Sequence, residues 1–122
     1  MTTGIVLFAH GSRDPGWAMP IERIARNVTA RRPDVRVVTS YLEHMSPTLD
    51  EALASLAAEG VTELVVAPLF LAPGGHIKRD LPPKIAALQA RHPSVTVRML
   101  PTLGEADALL ESIAAWIARE LA

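Results

Sequence analysis

Short apolar runs alternate with amphipathic helical stripes along this chain, and that alternation limits the folds it can adopt. The apolar runs cover residues Gly4–Ala9, Val35–Leu42, Glu63–Leu71 and Val95–Leu100. Their brevity and β-branched content predict buried strands. Apolar residues recur at helical spacing after each run, so the predicted order is βαβαβαβα, which favours a parallel sheet with helices on both faces. We therefore predict an α/β fold: a single three-layer α/β/α domain over residues 1–122 with a flavodoxin-like, four-stranded parallel sheet.

Turn-forming residues bound the predicted helices. The first helix is predicted over Pro20–Arg32, and the second begins after the N-cap Ser46, with Pro47 at its first position, and ends at Gly60. A glycine-rich loop over residues 72–80 precedes the third helix, which Asp80 caps. The last helix is predicted over Glu105–Leu121. The last helix carries an apolar stripe that should face inward, formed by Leu109, Leu110, Ile113, Trp116 and Ile117.

Composition excludes several classes of protein. The chain has no cysteine, which excludes a disulfide scaffold, a zinc finger and a cysteine nucleophile. A net charge of −1 and 4% aromatic residues argue against nucleic-acid binding. No apolar run reaches the roughly 18 residues of a membrane span, and no secretory signal is visible. We therefore expect a cytoplasmic protein that acts on a small molecule, with no nucleic-acid or membrane partner.

Polar and ionisable residues that could bind a ligand or take part in catalysis follow the predicted strands. His10, Ser12 and Arg13 follow the first strand, and Glu43 follows the second. His76, Lys78 and Arg79 lie in the predicted glycine-rich loop after the third strand. Since parallel α/β sheets place their sites at the carboxyl ends of the strands, these residues should share one edge.

Each of these residues also has an ordinary structural explanation. His10 can be a packed residue at a strand end, Glu43 a solvated carboxylate, and the basic residues a solvated rim. His76 has the least structural reason to be present, since it follows two glycines in the predicted loop. Together, two imidazoles and a carboxylate form a common donor set for a divalent first-row metal. We leave His92 out of this site because it should lie at a helix C-terminus, and we expect His44 to face solvent or to support the site indirectly.

Three segments in register resemble the class II tetrapyrrole chelatases, and within them the short CbiX-type sirohydrochlorin chelatases. They are His10-Gly11-Ser12-Arg13, Tyr41-Leu42-Glu43 with Pro47, and the stretch from Pro68-Leu69-Phe70-Leu71 through Gly75-His76 to Asp80-Leu81-Pro82. The third segment is far more specific for this family than the His-Gly-Ser-Arg segment. The resemblance covers nearly the whole chain.

This resemblance implies ATP-independent insertion of a divalent metal into sirohydrochlorin or a related metal-free tetrapyrrole. Co²⁺ would be the substrate metal, with Fe²⁺ or Ni²⁺ as alternatives, and no tightly bound cofactor is expected. It implies that His10 and His76 bind the metal and that Glu43 joins them in catalysis. Ser12, Arg13, Lys78 and Arg79 would bind the carboxylate arms of the substrate. Longer relatives hold two such domains, so a chain of this length should form a homodimer.

Three other readings remain open from the sequence. The same residues would suit a non-catalytic carrier of metal or tetrapyrrole. The His-Gly-Ser-Arg segment and the basic residues would also suit an enzyme acting on phosphorylated or carboxylated small molecules. Finally, the chain could be a half-domain that assembles only with a larger partner.

Overall fold

Four parallel strands form one sheet in the order β2-β1-β3-β4, as the alternating pattern predicts. The computed structural model describes residues 2–72 and 74–121, and of His76 it describes only the backbone. The strands are β1 (Thr3–Ala9), β2 (Arg36–Tyr41), β3 (Glu63–Pro68) and β4 (Thr96–Met99). The helices are α1 (Met19–Arg31), α2 (Leu49–Ala58), α3 (Gly75–Arg91) and α4 (Asp107–Glu120). Short 3₁₀ helices cover Pro15–Ala18 and Leu103–Glu105.

One face of the sheet, which we call the α2/α3 face, carries the main hydrophobic core. Val6 and Phe8 of β1 point to this face, because alternate residues of a strand share a side. They pack with Leu53 and Leu56 of α2 and with Leu88 of α3, all of which are fully buried. The helix that follows β2 and the helix that follows β3 are therefore fixed by the same core.

The opposite face, the α1 face, carries Ile5, Leu7 and Ala9 of β1 together with residues in register on the other strands. Ala9 joins Ala18 and Tyr41 in a second, smaller cluster, against which Trp17, Ile21, Met45 and Leu69 pack. Helix α1 makes its sheet contacts with β2 and β1. The α1 face is consequently covered over only part of its width by that helix.

The predicted start of α2 was wrong by two residues. The N-cap is Thr48 rather than Ser46, and its hydroxyl accepts a hydrogen bond from the Glu51 N–H at 3.2 Å. The Glu51 carboxylate accepts in return from the Thr48 N–H at 2.9 Å, which completes a capping box. Pro47 cannot belong to the first turn, because its carbonyl accepts a bond from the Tyr41 N–H at 2.9 Å and extends the sheet edge.

The predicted start of α3 was also wrong. The helix begins at Gly75, with Gly74 as N-cap, so Lys78, Arg79 and Asp80 are helical rather than loop residues and Asp80 is not a cap. Pro82 and Pro83 lie inside this helix. Both prolines lie on the exposed side of the helix, where carbonyls that lose their N–H partner can bond to water. The third strand correspondingly ends at Pro68, three residues before the predicted Leu71.

The inward stripe predicted for the last helix was wrong in its direction. None of the residues of α4 is buried, and Leu110, Ile113, Trp116 and Ile117 are 38–56% exposed. Leu109 alone of the stripe is half-buried. Helix α4 makes most of its backbone contacts with the 3₁₀ helix just before it.

Among the residues described, no helix has the combination of length and apolar character needed to cross a membrane.

Candidate active site

Backbone hydrogen bonds continue past the ends of β1, β2 and β3 and hold their loops together. The Leu42 N–H donates to the Ala9 carbonyl at 2.9 Å, and the Glu43 N–H donates to the His10 carbonyl at 3.1 Å. On the other side of β1, the Leu69 N–H donates to the Phe8 carbonyl at 2.7 Å. His10 and Glu43, predicted to share one edge, are thus adjacent through their own backbones.

Gly11 makes this close approach possible. Its φ is +88°, a left-handed conformation that side chains rarely adopt. A Cβ at this position would overlap the Glu43 carbonyl oxygen. The glycine therefore determines how near the second loop can come to His10.

A pair of buried aromatic rings positions the exposed imidazole of His10. The ring of Phe70 lies edge-on to His10, with centroids 4.6 Å apart and planes at 70°. Phe70 is 3% exposed and packs in turn against Phe8 at 5.6 Å. Because Phe8 belongs to the main core, the orientation of His10 is supported by the rigid interior of the sheet.

Glu43 has a polar neighbour that connects it to the first loop. The Arg13 Nε donates to His44 Nδ1 at 3.4 Å, so the proton of the neutral ring is on Nε2. That nitrogen lies 3.8 Å from Glu43 Oε1. His44 has a φ of +65°, in the left-handed region that non-glycine residues rarely adopt. The side chain that we expected to face solvent or to support the site therefore lies between Arg13, to which it is hydrogen-bonded, and Glu43.

A cavity of about 390 Å³ lies between Glu43 and α3. Asp80 and Lys84 of α3 line it opposite Glu43, with Phe8, Leu42, Ile77 and Leu81 forming its apolar walls. The Lys84 Nζ is 3.7 Å from the Asp50 carboxylate of α2, which places a cation near the cavity. This arrangement gives Glu43 an environment with both a carboxylate and an ammonium group within one small volume.

A larger cavity of about 670 Å³ lies on the other side of the first turns of α3. Its walls are mostly apolar and include Phe70, the ring beneath His10. Lys78, Thr102 and Glu105 add polar groups to the lining. Ile77 and Leu81 separate this cavity from the smaller one, since both residues line both. An apolar surface with a few polar groups suits a large, flat, carboxylated molecule.

The remaining predicted site residues are placed less closely together. The Ser12 hydroxyl accepts a bond from the Asp14 N–H at 3.0 Å and stabilises the first loop. Arg79 is exposed on α3 and lines neither cavity. His76 lies in the first turn of α3, and its side chain is outside the described residues. The described side chains by themselves form no cluster of three or more metal-binding groups.

Sequence reasoning left Phe70 and Lys84 out of this edge, gave His44 at most an indirect part in the site, and treated Asp80 as a helix cap. If the predicted helix had begun at Gly75, Ile77, Leu81 and Lys84 would have been recognised as one helical face from their spacing. That face is the one directed at the second loop. Phe70 falls within the predicted third strand, and a buried aromatic residue in a strand is fully explained by core packing. The contact of His44 with Arg13 has no local sequence signal, because Arg13 is 31 residues away.

An open parallel α/β sheet with its reactive side chains at the carboxyl edge defines the class of this protein. The CbiX family model matches residues 4–120, and the chain belongs to that family. The sirohydrochlorin cobaltochelatase of Methanosarcina acetivorans is 39% identical over 79 residues, which are 65% of this chain and 61% of that protein. The sirohydrochlorin cobaltochelatase of Methanopyrus kandleri is 41% identical over 78 residues, or 64% of this chain and 54% of that protein.

Solved structures show the same fold. A CbiX protein of Marinobacter aquaeolei, described as involved in cobalamin biosynthesis, has a TM-score of 0.83 and 33% identity, covering 98% of this chain and 97% of that one. The sirohydrochlorin chelatase SirB of Bacillus subtilis in complex with cobalt has a TM-score of 0.74 and 26% identity. That match covers 84% of this chain and 44% of SirB. The chain also spans only about 60% of the length of the first curated relatives it matches.

Proposed function

We propose that this protein inserts a divalent metal, Co²⁺ by preference, into sirohydrochlorin or a related metal-free tetrapyrrole without ATP. The observation that carries the proposal is the juxtaposition of His10 and Glu43 at the carboxyl edge beside a large apolar cavity. The names of the curated relatives support it. Fe²⁺ and Ni²⁺ remain substrates to be ranked, because a donor set of imidazole and carboxylate accepts all three metals.

In the proposed reaction, four metal–nitrogen bonds form and two pyrrole N–H protons leave the macrocycle. His10 and His76 bind the incoming Co²⁺ through their imidazoles, and Phe70 keeps the His10 ring in a fixed orientation. The apolar wall formed by Leu71 and Met99 receives the macrocycle. Lys78, which lines the larger cavity, binds the carboxylate arms together with Arg13, Ser12 and Arg79.

Glu43 accepts the pyrrole protons in this proposal. Its carboxylate lies on the side of His10 that faces α3, and its side chain is 59% exposed, so protons can pass from it to water. Arg13 and His44 lie beside this carboxylate, with His44 Nε2 3.8 Å from Glu43 Oε1, and keep the region around it polar. A positioned carboxylate of this kind contributes on the order of 100-fold or more to a proton transfer.

We further propose that the active form is a homodimer, acting in the cytoplasm. One sheet edge provides a single open surface, whereas a flat macrocycle is better enclosed between two such surfaces. The match of this chain to 44% of the length of SirB is consistent with two copies replacing the two halves of a longer chelatase.

The test is anaerobic metallation of sirohydrochlorin with Co²⁺, followed by visible absorbance. We expect acceleration over the spontaneous rate, and a loss on the order of 100-fold of the enzymatic rate in Glu43→Gln. His10→Ala and His76→Ala should lose most of the acceleration. His92→Ala is the matched control, because His92 lies at the far C-terminal end of α3. Binding of Co²⁺ without any acceleration would refute the enzyme and favour a metal or tetrapyrrole carrier.

A further inference from the structure

The loops at the carboxyl edge are docked on one another in two pairs, and a glycine lies at each contact. Gly11 lets the loop after β1 meet the loop after β2 at the Glu43 carbonyl. Gly104 holds the corresponding place between the loops that follow β3 and β4. A Cβ at this position would overlap the Leu71 carbonyl oxygen. The fourth loop therefore reaches the third because Gly104 has no side chain.

The contact at Gly104 continues into the residues that surround His10. The Leu103 N–H donates to the Phe70 carbonyl at 3.0 Å, so a hydrogen bond joins the two loops next to the close approach. Phe70 carries the ring that lies edge-on to His10, with centroids 4.6 Å apart. A displacement of the third loop at Leu71 would therefore act on the neighbouring residue that supports the imidazole.

The same two loops form one wall of the larger cavity. Its lining includes Phe70 and Leu71 of the third loop and Thr102, Gly104 and Glu105 of the fourth. The Leu71 side chain is 60% exposed, so a flat apolar ligand in the cavity would cover it. The Thr102 hydroxyl donates to the Glu105 carboxylate at 2.8 Å and closes the 3₁₀ turn on itself. A compact turn thus supports an exposed apolar surface from behind.

We propose that Gly104 is a positioning residue of the candidate active site. By letting the 3₁₀ turn pack on the Leu71 carbonyl, it fixes Leu71 in the cavity wall and the Phe70 ring beneath His10. Its role is to place these residues rather than to bind the metal. The inference deepens the proposed function, on which its kinetic test rests, whereas its spectroscopic test does not depend on that function.

A methyl group on residue 104 is expected to have a large effect because the overlap is with the backbone. A carbonyl oxygen cannot swing aside as the end of a flexible side chain does. Relieving the overlap moves one of the two loops by about 1 Å, and a misplacement of that size can cost on the order of 100-fold in rate.

The first test is the NMR signal of the His10 imidazole in the protein without metal or tetrapyrrole. The magnetic field of the Phe70 ring shifts the imidazole C–H resonances, so they report the geometry of the pair. The chain has four histidines, and His10→Gln assigns the signal. In Gly104→Ala we expect the His10 resonances to move and those of His92 to stay in place. An unmoved His10 signal would overturn the proposal, because the overlap would then be relieved without reaching Phe70.

The second test is steady-state metallation of sirohydrochlorin with Co²⁺. In Gly104→Ala we expect kcat/KM to fall on the order of 100-fold. The loss should include a higher KM for sirohydrochlorin, because the displaced wall binds the macrocycle less well. A wild-type kcat/KM in the folded variant would refute the positioning role. If the wild-type protein itself gives no acceleration, the proposed function fails, and the His10 signal still decides this inference.

Gly4→Ala is the matched control for a loss of stability alone. Its Cβ would meet Val61 Cγ1 at 3.2 Å and Leu56 Cδ1 at 3.3 Å, near the start of β1 and away from the carboxyl edge. We expect a lower melting temperature, with the His10 signal and kcat/KM unchanged. The same changes in Gly4→Ala as in Gly104→Ala would count against the proposal, because general destabilisation would then explain both.

Leu103→Pro keeps the proposal testable if Gly104→Ala fails to fold. It removes the N–H that bonds to the Phe70 carbonyl, at the first position of the 3₁₀ turn, where proline is tolerated. Thr102 before it is extended, with φ −66° and ψ 164°, as a residue preceding proline should be. We expect the His10 resonances to move in this variant as well, and resonances at their wild-type positions would overturn the proposal.

Discussion

Helices α2 and α4 have similar apolar stripes and opposite surroundings. Leu49, Leu53 and Leu56 of α2 are at most 1% exposed, whereas Ile113 and Trp116 of α4 are 38% and 56% exposed. Helix α2 begins with a complete capping box, while α4 has no side-chain hydrogen bond at its N-cap. The comparison shows that an amphipathic stripe predicts a buried helix face but does not specify which surface will cover that face. The stripe of α2 is buried within the chain, whereas the described residues of the chain leave most of the α4 stripe exposed.

Truncating one apolar residue in each helix should show this contrast most strongly. Leu53→Ala removes a side chain that is 0% exposed and should lower the free energy of unfolding by about 2–5 kcal/mol at every protein concentration. Ile113→Ala should lower it by much less, about 1 kcal/mol or below, because its side chain is 38% exposed. Urea denaturation of both variants checks this. Equal losses in the two variants would contradict the difference in burial between the two helices.

The loops that carry His10 and Glu43 belong to the internally packed part of the molecule, and two glycines there allow a matched comparison. Gly11→Ala should cost more than the roughly 1–2 kcal/mol of a left-handed alanine, because its Cβ would also overlap the Glu43 carbonyl. Gly60 has a similar φ of +91° but no atom within 4 Å of an added Cβ. Gly60→Ala should therefore show the conformational cost alone.

Thermal unfolding and the metallation rate would separate the two glycine variants. Gly11→Ala should lose both stability and activity, since Glu43 must move, whereas Gly60→Ala should keep its rate. An unimpaired rate in Gly11→Ala would mean that the approach of the two loops has no part in the chemistry.

The caps of the two helices provide a smaller test. Thr48→Ala removes the hydroxyl that accepts the Glu51 N–H and should cost about 1 kcal/mol. Ala106→Ser offers α4 the side-chain cap that Ala106 cannot give, with a gain of about 0.5–1 kcal/mol at most. Circular dichroism during thermal unfolding measures both. An unchanged melting temperature in Ala106→Ser would mean that the missing side-chain cap does not limit the stability of α4.

The smallest expected effect is a change in acid stability from the same capping box. Hydrogen bonds from the Thr48 backbone N–H, and secondarily from its side chain, hold the pKa of Glu51 below its usual range. A lowered pKa in the folded state means that the carboxylate stabilises the fold above the ordinary glutamate range, about pH 4.3, and loses that contribution as the pH falls through the folded pKa. Glu51→Gln should make the melting temperature slightly less sensitive to pH between about 5 and 3. A melting temperature that falls as steeply with decreasing pH as that of the wild type would contradict this.

Much of the fold was predictable because local periodicity carries it. The four strands and four helices were located, and His10 and Glu43 were correctly expected at one edge, since parallel strands align their carboxyl ends. The helix starts were less accurate. Ser46 and Thr48 are both good capping residues, and only the bond from the Tyr41 N–H to the Pro47 carbonyl decides between them. At α3, Asp80 is a residue type that often caps helices, but it lies inside a helix that begins at Gly75.

The sequence by itself determined the α/β alternation, the family resemblance and the residues that follow each strand, because all of these depend on local pattern. Only the tertiary structure decided that Phe70 supports His10, that His44 lies between Arg13 and Glu43, and that α3 places Asp80 and Lys84 opposite Glu43. Those contacts join residues distant in sequence, whose approach depends on packing. The outward direction of α4 was decided in the same way, because hydrophobic burial is non-directional and a stripe carries no information about which surface will cover it.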